Sequence, residues 1–289
     1  MVATTATGYP MRPFSTLALR YPAAVAAVIL GLFAVWFALP TILATPVDAT
    51  GGTGTFDLSD LRPYIVTEAT VATALLVLIA LCRWGRFTGL RGPVDAKGIR
   101  LSLWYLVPGL VIIALVWGGL LTAGTDQALG RQIAMIAVMT LLIGLFEETL
   151  FRGVVLNGLR TRMSPGLAVL VSGVLFGVFH VVNALVGQDI ALTAIQIVSA
   201  TGLGLFFGAI TVQARSVWPA ILLHAIWDAF ALSMALAFRL SPQAATTTLP
   251  QPGYAALIGP ALLTFAAWRI HRRWRRRTAQ AEERQMPAI

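Results

Sequence analysis

Three apolar segments in the second half of the chain carry ionisable side chains that could do acid–base chemistry. GLFEETLFRG holds Glu147, Glu148 and Arg152, FGVFHVVN holds His180, and LLHAIWD holds His224 and Asp228. Two of the protein's three histidines lie in these segments. Ionisable groups at membrane depth are costly and usually face a partner or a cavity, so these side chains are candidates for function.

Helical spacing divides the acidic segment into two roles. Glu148 and Arg152 are four residues apart and can pair along one face of a helix, which is a structural role. Adjacent residues point about 100° apart, so Glu147 and Glu148 are expected to face different places. Glu147 is then left without a local cation.

The two histidine segments show the same spacing. Asp228 follows His224 by four residues and can hydrogen-bond or orient the imidazole. Phe176 precedes His180 by four residues and Asn183 follows it by three, which predicts one face with an aromatic ring, an imidazole and an amide. At 1.5 Å per residue, Glu147, His180 and His224 lie about 15, 20 and 12 Å from the inner ends of their segments. We therefore expect the three to meet in one layer, toward the cytoplasmic side.

A carboxylate and two imidazoles permit two kinds of hydrolytic chemistry. Glu147 can act as a general base on water, one imidazole can share the proton, and the other can stabilise an oxyanion. The set Glu147, His180 and His224 could instead hold a zinc ion with water as the fourth ligand. Ligands drawn from separate helices leave no spacing signature, so the residues leave the cofactor open between a divalent metal such as Zn²⁺ and none.

Structural interpretations exist for each group taken singly. A lone membrane histidine often donates a hydrogen bond between helices, and an acid–arginine pair can simply lock a bundle. The set on three helices at one depth favours function. Glu68, near the outer end of its segment, is interpreted as an interface residue, and the glycines of GLGLFFG are expected to permit close helix packing.

Composition predicts the elements that position these residues. The 289 residues are 57% hydrophobic and only 11% charged, whereas soluble domains carry about a quarter charged residues. We expect an all-α, polytopic membrane bundle forming a single integral membrane domain over 1–289. Eight apolar stretches approach the ~20 residues that a spanning helix needs: 23–45, 63–82, 101–123, 132–157, 166–186, 191–213, 216–238 and 254–270. The first is too long for the apolar region of a signal peptide and is interpreted as a retained helix.

The basic residues predict the orientation. With the N-terminus inside, seventeen of the 21 lysines and arginines fall inside, Arg62, Arg131 and Arg239 fall outside, and Arg152 lies within a span. We therefore expect a multi-pass protein of the plasma membrane with both termini in the cytoplasm. The net charge of +9 comes from arginines between apolar runs, which indicates contacts with the bilayer rather than with nucleic acid. The single cysteine, Cys82, excludes an intramolecular disulfide and a CxxC metal site.

The motifs resemble those of a known family. The E-E-x-x-x-R of Glu147 to Arg152, the F-x-x-x-H of Phe176 and His180, and the H-x-x-x-D of His224 and Asp228 occur in order. They resemble the CPBP (CAAX-protease and bacteriocin-processing, or Abi) intramembrane metalloproteases, which include the type II CAAX prenyl endopeptidases. The resemblance covers about 132–238, which we interpret as a catalytic core.

The resemblance implies roles for the candidate residues. Glu147 and His180 would activate a water, His224 and Asp228 would bind the oxyanion, and Glu148 and Arg152 would support the site. Eukaryotic prenyl endopeptidases have asparagine where this chain has Asp228. An ionised aspartate cannot donate a hydrogen bond to an oxyanion, so Asp228 is either protonated or orients His224, and we favour orientation. The family is called a metalloprotease family but is also described as glutamate-dependent without metal, so zinc stays open.

The implied substrate is a membrane-embedded or membrane-tethered peptide or protein. Other intramembrane protease chemistries lack their residues here, because the sequence has no H-E-x-x-H, G-x-G-D or G-x-S-G. One alternative is a proton-coupled transporter using Glu147, His180 and Asp228 as a relay, which predicts broken helices and a two-fold repeat. Another is a membrane scaffold in which the polar set only packs helices.

Overall fold

Helices make up almost all of the part of the chain that the structure, a computed structural model, describes: residues 13–43, 60–123, 127–185, 187–240 and 258–285. These residues contain no strand. The elements are α1 Pro13–Arg20, α2 Pro22–Leu43, α3 Arg62–Cys82, α4 Ala96–Ala123, α5 Gln127–Glu148, a π-helical segment Thr149–Val155, α6 Leu156–Arg160, α7 Pro165–Phe179, α8 Val182–Leu185, α9 Ile190–Ala214, α10 Trp218–Leu240 and α11 Ile258–Gln285.

Seven of the predicted spans are long and apolar enough to cross a membrane: Pro22–Leu39, Arg62–Cys82, Gly98–Thr122, Gln127–Arg160, Pro165–Leu185, Ile190–Ala214 and Trp218–Leu240. The chain is thus a polytopic helical bundle, as its composition predicts. Helix starts follow local signals. Ser164 accepts a hydrogen bond from the Leu167 N–H ahead of α7, and Asp189 accepts one from Leu192 ahead of α9.

The eighth predicted span, 254–270, differs from the other seven. Residues 254–257 lie outside the described residues, and the helix that follows continues to Gln285. Its apolar part is only Ala261–Ile270, because His271, Arg272 and Arg273 follow it directly. Ten residues are about half the length that a crossing needs.

Most of the arginines among the described residues lie at one end of the bundle, which we call the arginine end. There α3 and α9 end, and α4 and α10 begin. The Asp95 N–H donates to the Ala214 carbonyl, and the Gln213 side chain donates to the Ile270 carbonyl of α11. At the opposite end Leu61, Leu129 and Leu236 belong to one apolar cluster. Within three residues of these leucines lie Arg62, Arg131 and Arg239. They are the three arginines that the positive-inside rule assigns to the outside.

Candidate active site

The regular α-helix of α5 ends at Glu148, and the next seven residues form the π-helical segment. All seven residues of that segment are buried. Such π-helical turns are rare and occur frequently at functional sites. Glu147 and Glu148 therefore lie at a change of helical geometry that the sequence periodicity does not predict.

A glycine brings α5 against α10 beside these two carboxylates. A Cβ at Gly144 would lie 2.7 Å from the Ile221 carbonyl oxygen and 3.6 Å from the His224 Cβ. Any larger residue would therefore push the two helices apart. The close approach at Gly144 is what brings the acidic motif to His224.

Glu148 binds two partners through one oxygen. Its Oε1 lies 3.0 Å from Arg152 Nη1, so the predicted i,i+4 ion pair is present, and both side chains are completely buried. The same Oε1 lies 2.7 Å from His224 Nδ1. An ionised carboxylate only accepts hydrogen bonds, so His224 Nδ1–H donates to Glu148. The pair therefore orients the imidazole as well as locking the helix.

The other ring nitrogen of His224 faces two more carboxylates. Its Nε2 lies 3.6 Å from Glu147 Oε2 and 3.4 Å from Asp228 Oδ2. The expectation that Glu147 and Glu148 face different places is thus corrected, because both reach one imidazole at its opposite nitrogens. The imidazole ring of His224 lies between the Glu147 and Glu148 side chains, which leave the helix in different directions. The shortest contact to the ring is the one from Glu148, rather than the one from Asp228.

Aromatic rings enclose the buried cation and the imidazole. The Arg152 guanidinium lies 4.2 Å from the Phe176 ring centroid and 5.5 Å from that of Phe207. Phe207 also stacks on His224 at 5.4 Å, and Phe176 meets the same ring edge-on at 5.8 Å. Phe207 lies in the GLGLFFG segment, for which the sequence predicts only close helix packing at the glycines. Phe207 lies there because its ring face stabilises the buried guanidinium of Arg152 through a cation–π contact.

His180 occupies the end of α7. Its Nδ1 lies 2.9 Å from the Phe176 carbonyl oxygen, and its ring meets the Phe176 ring edge-on at 5.1 Å. If Nδ1–H donates to that carbonyl, Nε2 is left as an acceptor. The His180 ring and the His224 ring both pack edge-on against Phe176.

Asn183 does not share a helical face with His180. The regular helix ends at Phe179, and the His180 N–H bonds the Gly177 carbonyl in a tightened last turn. Asn183 then lies in α8 and donates to the Gln196 side chain at 2.9 Å. The predicted aromatic–imidazole–amide face is corrected to an aromatic–imidazole pair, and Asn183 joins α8 to α9.

Glu68 of α3 is a further acidic residue in the neighbourhood of the site. Its charge interacts with those of Glu147, Asp228 and His224. One of its carboxylate oxygens, Oε2, is buried and has no hydrogen-bond partner. A lone acid six residues inside an apolar helix is the signal that the sequence offers for it.

The predicted metal set does not fit a zinc site in this arrangement. Among the described residues, no group of three or more His, Cys, Asp or Glu side chains is arranged to hold a metal ion. A catalytic zinc needs three protein ligands at about 2.0–2.2 Å from one point. Within the predicted set, Glu147 Oε2 lies 3.6 Å from His224 Nε2, and the carboxylate that lies beside the same nitrogen is that of Asp228 rather than a third member of the set.

Exposure varies across the site. The side chains of Glu147 and Asp228 are 20% and 25% exposed, whereas those of Glu148 and Arg152 are completely buried and that of His224 is 5% exposed. The site is therefore closed behind Glu148 and open on the face that Glu147 shares with Asp228. Among the described residues, the approach to His224 Nε2 runs along the partly exposed side chains of Glu147 and Asp228.

The comparisons with known proteins point to the same segment. Residues 129–230 match the family model described as Type II CAAX prenyl endopeptidase Rce1-like. This match contains all three motifs and overlaps the predicted core 132–238. The comparison with curated proteins finds no match. The resemblance inferred from the motifs is confirmed: over residues 129–230 the chain is similar to the Rce1-like type II CAAX prenyl endopeptidases.

Proposed function

We propose that the chain is an intramembrane endopeptidase that hydrolyses a peptide bond of a membrane-associated or lipid-tethered peptide or protein. The observation that carries the proposal is the position of His224. Its Nδ1 is held by the buried Glu148–Arg152 pair, and its Nε2 faces Glu147 on the open side of the site. A carboxylate and a fixed imidazole on one accessible face supply a base and an oxyanion donor together.

Glu147 is the general base in this mechanism. Its carboxylate takes a proton from a water whose other hydrogen is accepted by His180 Nε2. The water oxygen bonds to the substrate carbonyl carbon, and the carbonyl electron pair moves onto oxygen. When the intermediate collapses, the C–N bond breaks and the Glu147 carboxyl returns the proton to the leaving amine, so that protons and electrons balance.

His224 stabilises the oxyanion. Because Nδ1–H donates to Glu148, donation from Nε2 requires the imidazolium form. That form is stabilised by Glu148 on one side and by Glu147 and Asp228 on the other, at 3.6 and 3.4 Å from Nε2. Asp228 contacts the same ring nitrogen, Nε2, as Glu147 does. This contact fixes the direction in which the Nε2–H group of His224 points.

Cleavage by a Glu147→Gln variant tests this proposal. Wild type and variant are reconstituted in liposomes with a library of membrane-tethered peptides, and the products are identified by mass spectrometry. Removal of the base is expected to lower the rate by about 10²–10⁴-fold. The matched control is Asp189→Asn, which removes one carboxylate charge at the start of α9 and keeps an equivalent helix cap. Equal cleavage by wild type and Glu147→Gln would reject the assignment.

The transporter alternative keeps one observation in its favour. The helix that carries His180 is broken after Phe179, and broken helices are a feature that transporters share. A transporter would lose proton-coupled uptake in Glu147→Gln without any wild-type peptide cleavage. A scaffold would show neither cleavage nor proton-coupled uptake in the wild type. Measuring peptide cleavage and proton-coupled uptake in the same liposomes therefore distinguishes all three hypotheses.

A further inference from the structure

Two adjoining cavities at the arginine end share two arginines. The larger, of about 940 Å³, is lined mainly by apolar side chains, among them Leu76, Leu145 and Trp218. The smaller, of about 220 Å³, is lined mainly by polar and basic side chains. Arg86 and Arg91 line both. A continuous apolar and basic site has the chemistry of an amphiphile with a negative head.

Four arginines surround the smaller cavity without a carboxylate to balance them. Arg160 of α6 and Arg215 of the α9–α10 turn join Arg86 and Arg91 there. None of the four makes an ion pair within the part of the chain that is described. Arg160 and Arg215 are close enough for their charges to repel. A bound anion would remove this repulsion.

A buried hydroxyl group gives independent support for a ligand. Thr211 lines the smaller cavity, is 4% exposed, and its Oγ1 has no hydrogen-bond partner. Threonines in helices commonly donate to the carbonyl four residues earlier, as Thr193 and Thr201 do in the same helix. A buried unsatisfied polar atom calls for an explanation. A phosphate oxygen accepting from Thr211 would supply it.

The walls of the site are fixed by main-chain contacts. The Val217 N–H donates to the Gly89 carbonyl, and the Asp95 N–H donates to that of Ala214. These bonds fasten the loop between α3 and α4 onto the α9–α10 turn. Gly89 has φ +75°, and a Cβ there would lie 3.2 Å from the Ser216 Cα, so only glycine fits. The cavities lie where helices end, which is the level of lipid headgroups.

We propose that this site binds an anionic phospholipid. The phosphate lies among Arg86, Arg91, Arg160, Arg215 and Thr211, and an acyl chain occupies the apolar cavity. Basic pockets between membrane helices are typical sites for anionic headgroups. This proposal is independent of peptide cleavage, because none of these residues touches the candidate active site. Glu147→Gln is therefore expected to bind the lipid as wild type does.

Native mass spectrometry of the full-length protein in detergent tests the site. Phosphatidylglycerol and phosphatidylcholine with identical acyl chains are titrated separately. Phosphatidylglycerol is expected to bind wild type more tightly than phosphatidylcholine, and Arg91→Gln with Arg160→Gln to weaken its binding about 30-fold. Thr211→Val, which keeps the shape of the side chain, is expected to weaken it about tenfold. The control, Arg162→Gln with Arg272→Gln, removes the same charge from residues that line neither cavity and is expected to leave binding unchanged.

Three results would overturn the proposal. The first is equal binding of the two lipids by wild type, and the second is an equal loss in the control variant, which would indicate diffuse charge attraction. The third is displacement of phosphatidylglycerol by inorganic phosphate at millimolar concentration, which would assign the site to a free anion. Thermal unfolding of each variant in the same detergent verifies that the losses do not come from misfolding.

Discussion

At the scale of single residues, the candidate site depends on one imidazole held between carboxylates. Glu148 fixes Nδ1 of His224 at 2.7 Å, and this contact leaves Nε2 to face Glu147 and Asp228. Glu148 is itself paired with Arg152, whose guanidinium lies against two phenylalanine rings. The pair has a structural role and a positioning role, and substitutions can separate them.

Glu148→Gln is expected to lose both stability and activity. It leaves the completely buried Arg152 without a counter-charge, and loss of one partner of a buried ion pair costs about 3–5 kcal/mol. Thermal unfolding in detergent measures the first effect and peptide cleavage measures the second. A variant as stable as wild type would show that Arg152 has another partner.

The double variant Glu148→Gln with Arg152→Met separates the two roles. Replacing a buried pair by uncharged residues is often neutral or stabilising, so the melting temperature is expected to recover. Cleavage is expected to stay low, because no carboxylate then accepts a hydrogen bond from Nδ1 of His224. If cleavage recovers together with stability, Glu148 has only a structural role.

Sequence spacing predicts the contacts of this site that lie within a single helix. The Glu148–Arg152 pair lies within one turn of helix, so an i,i+4 pattern predicts it. The Glu148–His224 contact joins residues 76 positions apart, and no local pattern encodes such a contact. Phe207 was missed for the same reason, because it reaches His224 and Arg152 from a helix that carries no motif.

At the scale of helices, the apolar runs predict the seven long helices found among the described residues, but not their irregular ends. The π-helical segment after Glu148 and the end of α7 at Phe179 both interrupt a continuous apolar pattern. An apolar run has the same composition whether or not the helix inside it is regular, so these breaks depend on tertiary contacts. Asn183 shows the result, because its partner Gln196 lies on the next helix.

Gly144→Ala tests the approach of α5 to α10. The added Cβ would lie 2.7 Å from the Ile221 carbonyl oxygen, so the helices must separate and the carboxylates must move away from His224. A displacement of about 1 Å near a reacting centre can cost about 10²-fold in rate, and we expect a loss of at least about tenfold in cleavage.

Gly130→Ala is the matched control on the same helix. A Cβ at Gly130 has nothing within 4 Å, and alanine favours a helix over glycine by about 1 kcal/mol. Its cleavage rate is expected to equal that of wild type. If the two variants behave alike, the close approach at Gly144 does not position the site.

At the scale of the whole molecule, the sequence predicts the end of the bundle at which the described arginines lie better than it predicts the number of spanning helices. The apolar part of α11 is only Ala261–Ile270, yet the Gln213–Ile270 hydrogen bond holds α11 at the arginine end. The sequence therefore predicts on which end the basic tail lies, although not how the chain reaches it. The distribution of basic residues depends on the side of the bilayer on which each of them lies, so it does not require the last segment to be regular.

Cysteine labelling in intact cells tests the orientation that follows. In a Cys82→Ser background, which removes the single, buried cysteine, single substitutions are Arg91→Cys, Arg273→Cys and Arg131→Cys, all at exposed positions. Because basic residues are retained on the cytoplasmic side, a membrane-impermeant maleimide is expected to label only Arg131→Cys until the cells are permeabilised. Arg91 and Arg273 both lie at the arginine end, so they must behave alike. Labelling of Arg273→Cys alone from outside would contradict the docking of α11 on α9, whereas labelling of both would reverse the orientation and leave the bundle intact.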